Sequence, residues 1–480
     1  MGPISLSLPG RGDMEYPKQY QGLALIADPI YRYAVFTVPV RAPSQERTEK
    51  NLIDSSWLQR LRRIYQLQSA RWVYPAAEHT RFQHSLGAMH LAGEFGQAIW
   101  KSLKEVYPEA PSFPFVEELL RLAGLLHDVG HGPFGHFFDD HFLSHFHLTH
   151  EDMGQEIILR ELGEIISAIR RSPTGAFERG EHIDPKYVAF LIKAKESVSA
   201  EFPRWLHALR QLFNGIYTVD NLDYVQRDAY MTGFSLDMVD MDRLKYYTFF
   251  TPEGLSIHEA GLSALRRFLN ARFNLYAHVY FHRTTRALDL HLQEIFFETM
   301  KLLFPFHPRE NLREYMKLDD WSLFSEVRRW VSDGNRRKRK LGREWEKLYS
   351  REVKWKMAYS AELSIDRMQK GIRFASAAEC EQMIRDFLPP SLKGLSFRVD
   401  LATQDPRPIN PMAQTDKRIN VYNPSTGQVS REPLLEIYRF IPARVVHFRI
   451  FALHHNHDGE LAKAAERALE ELQGGISTNI

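Results

Sequence analysis

Residues 125–136 read Leu-Leu-His-Asp-Val-Gly-His-Gly-Pro-Phe-Gly-His, a stretch in which an apolar run meets a His–Asp pair and then a series of helix breakers. The stretch from Val116 to Asp128 is a predicted helix whose last two turns, from Leu119 to Leu126, are apolar on nearly every side, which indicates that it is buried. Gly130, Gly132 and Pro133 end this helix. The carboxylate of the pair is therefore expected to be buried, and a buried carboxylate is costly unless it is paired or binds a metal ion.

His127 and Asp128 are accordingly predicted to bind a divalent metal ion, since imidazole plus carboxylate suits zinc, manganese or iron. Two ligands do not complete a site, so others must come from elsewhere in the fold. His84 lies on the apolar face of a predicted helix that begins near Arg81, and Asp220 opens another. Taken singly, His84 is explained as well by a core histidine bonded to a carbonyl group, and Asp220 by an N-cap.

Histidines are concentrated around this stretch. Seven of the 21 histidines fall between positions 127 and 150. Imidazole changes its charge near neutral pH and is the commonest protein ligand of metal ions. The cluster therefore indicates a metal site or a proton-transfer site.

The composition limits the class of protein. The 480 residues are 44% hydrophobic and 12% aromatic, which is enough for a sizeable core and excludes a disordered chain or a small disulfide scaffold. Lys and Arg (62) nearly balance Asp and Glu (60), so the net charge does not favour electrostatic binding of nucleic acid or of an anionic membrane. The single cysteine, Cys380, fits a reducing compartment. We expect a cytoplasmic protein that does not enter the membrane.

Helical periodicity dominates the pattern, so the predicted fold class is mainly α, with small β additions at the N-terminus and in the C-terminal region. The predicted elements are an edge strand at 34–40, a helix from about 51 with Asp54 as its N-cap, helices at 81–99, 116–128, 220–232 and about 263–303, short strands within 396–450, and a helix from 458. The predicted domains are an N-terminal β-containing segment (1–50), a helical core (51–304) and a C-terminal α+β region (305–480).

Together, His84, His127, Asp128 and Asp220 resemble the H…HD…D signature of the HD-domain metal-dependent phosphohydrolases. Residues 66–67, 79–87, 127–136, 149–151 and 223–228 are similar to the deoxynucleoside triphosphate triphosphohydrolase (dNTPase) branch of that family, which includes bacterial dGTPase-like proteins and an enzyme with a sterile-alpha-motif domain. The resemblance extends over about residues 25–300. It implies an HD-domain helical core in which these four side chains are the metal ligands.

The resemblance also implies an activity. A dNTP would be hydrolysed at its α-phosphorus to a deoxynucleoside and inorganic triphosphate. The implied cofactor is a divalent ion, with manganese, iron, zinc or nickel suiting the HD site and magnesium accompanying the nucleotide. Family members form homo-oligomers, either tetramers or hexamers.

Further residues receive roles from the same resemblance. The leaving group is a sugar alkoxide, which is poor and needs a general acid. His136 matches that acid, and Asp139 is expected to orient its ring. His131 and His150 match phosphate-facing histidines, and Arg81 matches a phosphate-contacting arginine.

Substrate contacts follow similarly. Gln66 and Asp228 match residues that hydrogen-bond the 3′-hydroxyl group, and Tyr224 matches an aromatic that lines the sugar and phosphates. Leu67 matches an apolar residue where a ribose 2′-hydroxyl would point, and leaving that hydroxyl unpaired would cost roughly 1–3 kcal/mol. Arg283 lies in a helix similar to the phosphate- and base-contacting helix and is a further candidate contact.

Two other functions stay open. One is HD hydrolysis of another nucleotide, although Val129–Gly132 stands where alarmone hydrolases carry acidic residues, and the Gly-Tyr-Pro triplet of cyclic-dinucleotide hydrolases is absent from the sequence. The other is a non-catalytic nucleotide or nucleic-acid binder, suggested by the basic run Arg336–Lys340. Such a run is more often a solvated helix face.

Overall fold

The computed structural model describes residues 21–40, 45–193, 202–235, 238–365, 376–404, 420–430 and 444–474. The helices are α1 Glu49–Ile53, α2 Ser56–Arg60, α3 Arg81–Val106, α4 Phe113–Leu126, α5 His136–His141, α6 His150–Ile157, α7 Gly163–Ala168, α8 Pro185–Ile192, α9 Arg204–Leu209, α10 Gln211–Asn214, α11 Val219–Thr232, α12 Met241–Tyr247, α13 Leu262–Leu275, α14 Arg283–Leu303, α15 Leu312–Tyr315, α16 Asp320–Trp330, α17 Arg336–Tyr349, α18 Ala377–Phe387 and α19 Asp458–Gly474. The prediction of a mainly α fold with small β additions is confirmed.

The strands form small sheets around this helical core. They are β1 Leu23–Asp28, β2 Arg32–Thr37, β3 Arg171–Ser172, β4 Gly175–Ala176, β5 Thr248–Thr251, β6 Gly254–His258, β7 Lys356–Ile365, β8 Phe397–Gln404, β9 Asn420–Asn423, β10 Gln428–Ser430 and β11 Arg444–Ala452. β1 and β2 form an antiparallel hairpin, as do β3 and β4. The larger sheets have the orders β10–β9–β6–β5 and β7–β11–β8.

The packing of α3 against α4 sets the geometry of the core. A Cβ atom added at Gly124 of α4 would lie 2.6 Å from the carbonyl oxygen of Ala88 in α3, so the two backbones touch at this point. Ala88 lies one turn after His84, and Gly124 lies one turn before His127. The close approach therefore brings these two histidines together. The prediction that α4 is buried nearly all round is confirmed, since every residue from Phe115 to Leu126 is buried.

Residues beyond 305 contribute to the same core. Tyr315, Trp330 and Trp345 are fully or almost fully buried in the hydrophobic cluster that contains α3 and α4. A second cluster lies in the C-terminal part, where α18 and α19 cover the three-stranded sheet β7–β11–β8. The predicted domain boundary at residue 305 stays a prediction. The basic run Arg336–Lys340 forms the first turns of α17, where Arg337 pairs with Glu298.

Two local predictions need correction. Asp54 is not an N-cap: it follows the last residue of α1, and the Ser55 side chain caps α2 by accepting a hydrogen bond from the Leu58 N–H. The stretch 263–303 is not one continuous helix. A π-helical turn at Tyr276–Tyr280 interrupts it, and the His282 side chain caps α14. Apolar periodicity continues across both breaks, so the pattern alone does not reveal them.

Among the described residues, none of the helices has the combination of length and apolar character that crossing a bilayer requires.

We expect Gly124→Ala to destabilise the protein by roughly 1–3 kcal/mol, because its new methyl group would overlap the backbone of α3. Gly459→Ala is the matched control, since a Cβ atom at Gly459 meets no other atom within 4 Å. Calorimetric unfolding temperatures test the pair. Equal unfolding temperatures for both variants would contradict the tight α3–α4 contact.

Candidate metal centre

Four side chains from three elements converge at the end of α4. His84 comes from α3, His127 and Asp128 directly follow α4, and Asp220 is the second residue of α11. The Nε2 atom of His84 lies 3.0 Å from Nε2 of His127 and 3.1 Å from Oδ1 of Asp220. His127 Nε2 lies 3.3 Å from Oδ1 of Asp128. Donor atoms bound to one ion at about 2.1 Å are separated by about 3.0–3.4 Å, so this spacing fits a shared ion.

The rings of both histidines are held with Nε2 toward this centre. His84 Nδ1 lies 2.7 Å from Oδ2 of Asp223 and donates its hydrogen to that carboxylate. His127 Nδ1 donates to the Gly124 carbonyl oxygen at 2.8 Å. A hydrogen bond from one ring nitrogen to a carboxylate or carbonyl leaves the other nitrogen free as a ligand, as is usual for metal-binding histidine.

The electrostatics favour a cation at this position. Burial would lower the pKa of His84, but the hydrogen bonds that its ring donates to the carboxylates of Asp220 and Asp223 raise it to about 10. Burial would raise the pKa of Asp128, but His127 and Arg81 hold it well below its usual value. Two imidazole nitrogens and two carboxylate oxygens form a donor set that fits divalent manganese, iron, zinc or nickel. The four predicted ligands lie together, and their binding of an ion stays a prediction.

A second His/Asp group adjoins the first. His131, His136, Asp139 and His150 offer donor atoms within 4.8 Å of one another. His131 Nε2 lies 3.3 Å from Oδ1 of Asp128, which connects the two groups. The rings of His131 and His150 stack at a centroid distance of 3.8 Å.

Asp139 has a different main partner from the one predicted. It accepts a short hydrogen bond from His150 Nδ1, whereas His136 Nδ1 lies 3.7 Å from the same carboxylate oxygen. Burial would lower the pKa of His150, but the Asp139 carboxylate raises it to about 9. Burial, together with Arg81 and His150, lowers the pKa of His131 well below its usual value. The two stacked imidazoles therefore differ, because the pKa of His150 is raised and the pKa of His131 is lowered.

Arg81 is buried beside both groups. Its Nη1 atom donates to Oδ2 of Asp128 at 2.7 Å, while its buried Nε has no hydrogen-bond partner within the described part of the chain. Gly135 has a φ of +53°, and a Cβ atom there would lie 2.2 Å from Nη2 of Arg81. The glycine-rich loop after Asp128 thus closes over the guanidinium group, and only glycine fits that position.

The predicted sugar-binding residues lie on neighbouring elements. Asp228 accepts hydrogen bonds from His79 Nε2 at 2.7 Å and from the Tyr280 hydroxyl at 2.5 Å. The Gln66 N–H donates to the carbonyl oxygen of His79, and the buried Oε1 of Gln66 has no partner among the described residues. Leu67 is buried next to it.

Tyr224 lies beside the candidate metal centre, with its ring centroid 6.5 Å from that of His84. Arg272 and Tyr276 lie beside Tyr224: the two tyrosines are hydrogen-bonded, and Tyr224, Tyr276 and Asp220 together raise the pKa of Arg272. Arg272, Tyr276 and Tyr280 were not predicted from the sequence. Their spacing of four residues along one helical stretch was the available signal.

Arg283, by contrast, is exposed at the first position of α14 and makes no contact with either His/Asp group that the structure describes. Its predicted role as a substrate contact stays a prediction.

A helical core in which a His–Asp pair after one helix meets a histidine and an aspartate from two others is the arrangement of an HD domain. The family model for the HD domain matches residues 81–196. The chain is 32% identical to the uncharacterised protein YwfO of Bacillus subtilis over an aligned region of 322 residues. This region covers 64% of this chain and 66% of YwfO. The chain is 28% identical over 273 residues to the deoxynucleoside triphosphate triphosphohydrolase SAMHD1 homolog of Dictyostelium discoideum, covering 56% of this chain and 50% of that protein.

A crystal structure of a hypothetical protein from Aquifex aeolicus has the same fold, with a TM-score of 0.64, 24% identity, and coverage of 93% of this chain and 100% of that one. The regions that match the Bacillus subtilis and Dictyostelium discoideum proteins span 66% and 50% of those proteins' own lengths. The chain therefore contains an HD domain and is similar to deoxynucleoside triphosphate triphosphohydrolases.

We expect His127→Ala to lose the bound divalent ion, because it removes one of the nitrogens that face the centre. His136→Ala is the matched variant. It removes a histidine from the neighbouring group, and its exposed ring is not among the four predicted ligands, so it should keep a metal content near that of the unchanged protein. Elemental analysis of the purified proteins measures both. Loss of metal from the His136 variant would contradict the division into two groups.

Proposed function

We propose that this protein hydrolyses deoxynucleoside triphosphates to a deoxynucleoside and inorganic triphosphate. The observation that carries the proposal is the contact between the two His/Asp groups, in which Asp128 belongs to the candidate metal centre and lies beside Arg81 and His131. A set of metal ligands next to a guanidinium and a cationic imidazole suits a polyphosphate substrate. The similarity to a named triphosphohydrolase supports the same substrate class.

A divalent ion at the centre would polarise a phosphate oxygen and lower the pKa of a water molecule. Arg81 and the cationic His150 would hold the phosphate oxygens, with Arg81 fixed in place by Asp128. Water would attack the α-phosphorus and release one proton to the solvent, while the bond from phosphorus to the sugar 5′-oxygen would break. His136, whose ring is exposed at the rim of the site, would donate a proton to that leaving oxygen.

The sugar would lie over the loop that carries Gln66 and Leu67. The free Oε1 of Gln66 and the carboxylate of Asp228 would accept hydrogen bonds from the 3′-hydroxyl group. Leu67 offers only methyl groups, so a 2′-hydroxyl directed at it would lose its hydrogen bonds to water. Tyr224 would pack along the sugar and the phosphates.

The resemblance to the family supports further parts of the proposal. The protein would act in the cytoplasm as a homo-oligomer, either a tetramer or a hexamer, with magnesium bound to the nucleotide. A nucleic-acid partner receives less support, because residues 336–340 lie in a helix face where Arg337 already has an acidic partner.

The direct test incubates each dNTP and each rNTP with Mn²⁺ or Mg²⁺ and separates the products by ion-exchange chromatography. We expect inorganic triphosphate and nucleoside in equal amounts from dNTPs, and much slower turnover of rNTPs. Leu67→Ala should reduce the preference for deoxyribose by roughly tenfold, because it opens space for the 2′-hydroxyl. Release of pyrophosphate with a nucleoside monophosphate would contradict the proposal.

The pH dependence tests the role of His150. Because the Asp139 carboxylate raises the pKa of His150 to about 9, the cationic form is present at neutral pH and is lost as the pH rises through that value. We expect kcat/KM to fall on this alkaline side. Asp139→Asn should move the fall toward lower pH, whereas Asp140→Asn, at the exposed next position, should not. If kcat/KM of the Asp139→Asn variant falls at the same alkaline pH as that of the unchanged protein, this role of His150 is refuted.

A further inference from the structure

Asp223 is completely buried, and its carboxylate has four hydrogen-bond donors. Besides His84 Nδ1, it accepts from Nε and Nη2 of Arg227, both at 2.9 Å. The fourth donor is the hydroxyl group of Tyr31, at 2.9 Å. Tyr31 lies in the turn between β1 and β2, 192 positions away along the chain. The hairpin therefore reaches the residue that orients a candidate metal ligand.

The turn of the hairpin is built around a second carboxylate. Asp28 Oδ1 accepts hydrogen bonds from the backbone N–H groups of Ile30 and Tyr31, at 2.8 and 3.1 Å, which closes the turn. Its other oxygen, Oδ2, accepts from Nη1 of Arg227 at 2.8 Å. Arg227 is thus held by two carboxylates, one from α11 and one from the hairpin.

The space around this network is tight. Gly87 lies on α3, three residues after His84. A Cβ atom at Gly87 would lie 2.0 Å from Oδ1 of Asp223 and 2.1 Å from Nη2 of Arg227. The ion pair is therefore pressed against the helix that carries His84. The hairpin contacts the same ion pair through Tyr31 and Asp28, so Asp223 and Arg227 meet both elements.

These contacts have a consequence for His84. The orientation and basicity of a metal-binding histidine depend on the carboxylate that accepts its other N–H. Here that carboxylate is held by Arg227 and Tyr31, and Arg227 is in turn held by Asp28. Without Asp28, one buried nitrogen of the guanidinium would have no partner, and the guanidinium would be free to turn within the pair.

We propose that the β1–β2 hairpin is part of the metal centre, with Asp28 and Tyr31 as positioning residues that hold Asp223 and, through it, His84. The inference rests on the ion-binding part of the proposed function and not on the identity of the substrate. It gives the hairpin a role in ion affinity that the motif residues do not reveal.

The test measures Mn²⁺ affinity by competition with a fluorescent chelator, with no substrate present. Asp28→Asn keeps an oxygen for the turn, but its amide would present N–H groups to Arg227. We expect it to weaken Mn²⁺ binding by about tenfold, the lower end of the range for outer-shell partners. Tyr31→Phe removes one hydroxyl group and should weaken binding severalfold.

The controls are matched in position and chemistry. Tyr33→Phe changes a tyrosine of the same hairpin whose side chain is 60% exposed, and Asp242→Asn changes an aspartate that is 96% exposed. Both should bind Mn²⁺ as the unchanged protein does. Unfolding temperatures check that every variant is folded, and Tyr31→Phe remains informative if Asp28→Asn does not fold.

A double-mutant cycle separates positioning from a general loss of stability. If Asp28 acts through Asp223, the change Asp28→Asn should have little further effect on Mn²⁺ affinity once Asp223→Asn is present. Unchanged affinity in both hairpin variants, or fully additive effects in the cycle, would overturn the inference. The outcomes are distinct from those of the function test: an absence of dNTP hydrolysis with weakened ion binding would refute the proposed function alone.

Discussion

The buried carboxylate of Asp128 is the interaction on which the rest of the site depends. Its side chain is only 6% exposed and lies among Arg81, His127 and His131. A carboxylate without water is tolerated only where cations or hydrogen-bond donors surround it. Asp128 meets this requirement with one oxygen toward Arg81 and the other toward the two histidines. It is therefore the point at which the candidate metal centre and the histidine-rich group become one site.

Close backbone contact makes this arrangement possible, and glycine provides it at three places. Gly124 lets α4 touch α3, so that His84 and His127 can face each other. Gly87 leaves room for the Asp223–Arg227 pair against α3, and Gly135 leaves room for Arg81 beneath the loop after Asp128. At each position a methyl group would overlap a polar group or the backbone. The positions of the site's polar side chains thus depend on glycine at these three places.

The sequence was informative where local pattern and chemistry agree. The apolar periodicity of α4 and the breakers after it predict a buried helix that ends at a His–Asp pair, and the structure agrees. His84 and Asp220 could not be assigned from their own surroundings, because a core histidine and an N-cap fit the same patterns. Their assignment came from the resemblance of the spaced motif, and the structure brings them to the same point.

Other features depend on tertiary contacts that no local pattern contains. The contact of Asp139 with His150 joins the start of α6 to α5, and Arg272 reaches Tyr224 because α13 lies beside α11. The contacts of Asp28 and Tyr31 with Arg227 and Asp223 join residues almost 200 positions apart. Such long-range pairs follow from the tertiary fold and cannot be predicted from a local sequence pattern.

The most direct measurement of the central claim is anomalous X-ray diffraction from crystals grown with Mn²⁺. We expect one strong anomalous peak per chain, about 2.1 Å from Nε2 of His84 and Nε2 of His127 and within coordination distance of the carboxylates of Asp128 and Asp220. A peak found only among His131, His136, Asp139 and His150, with none between His84 and His127, would contradict it.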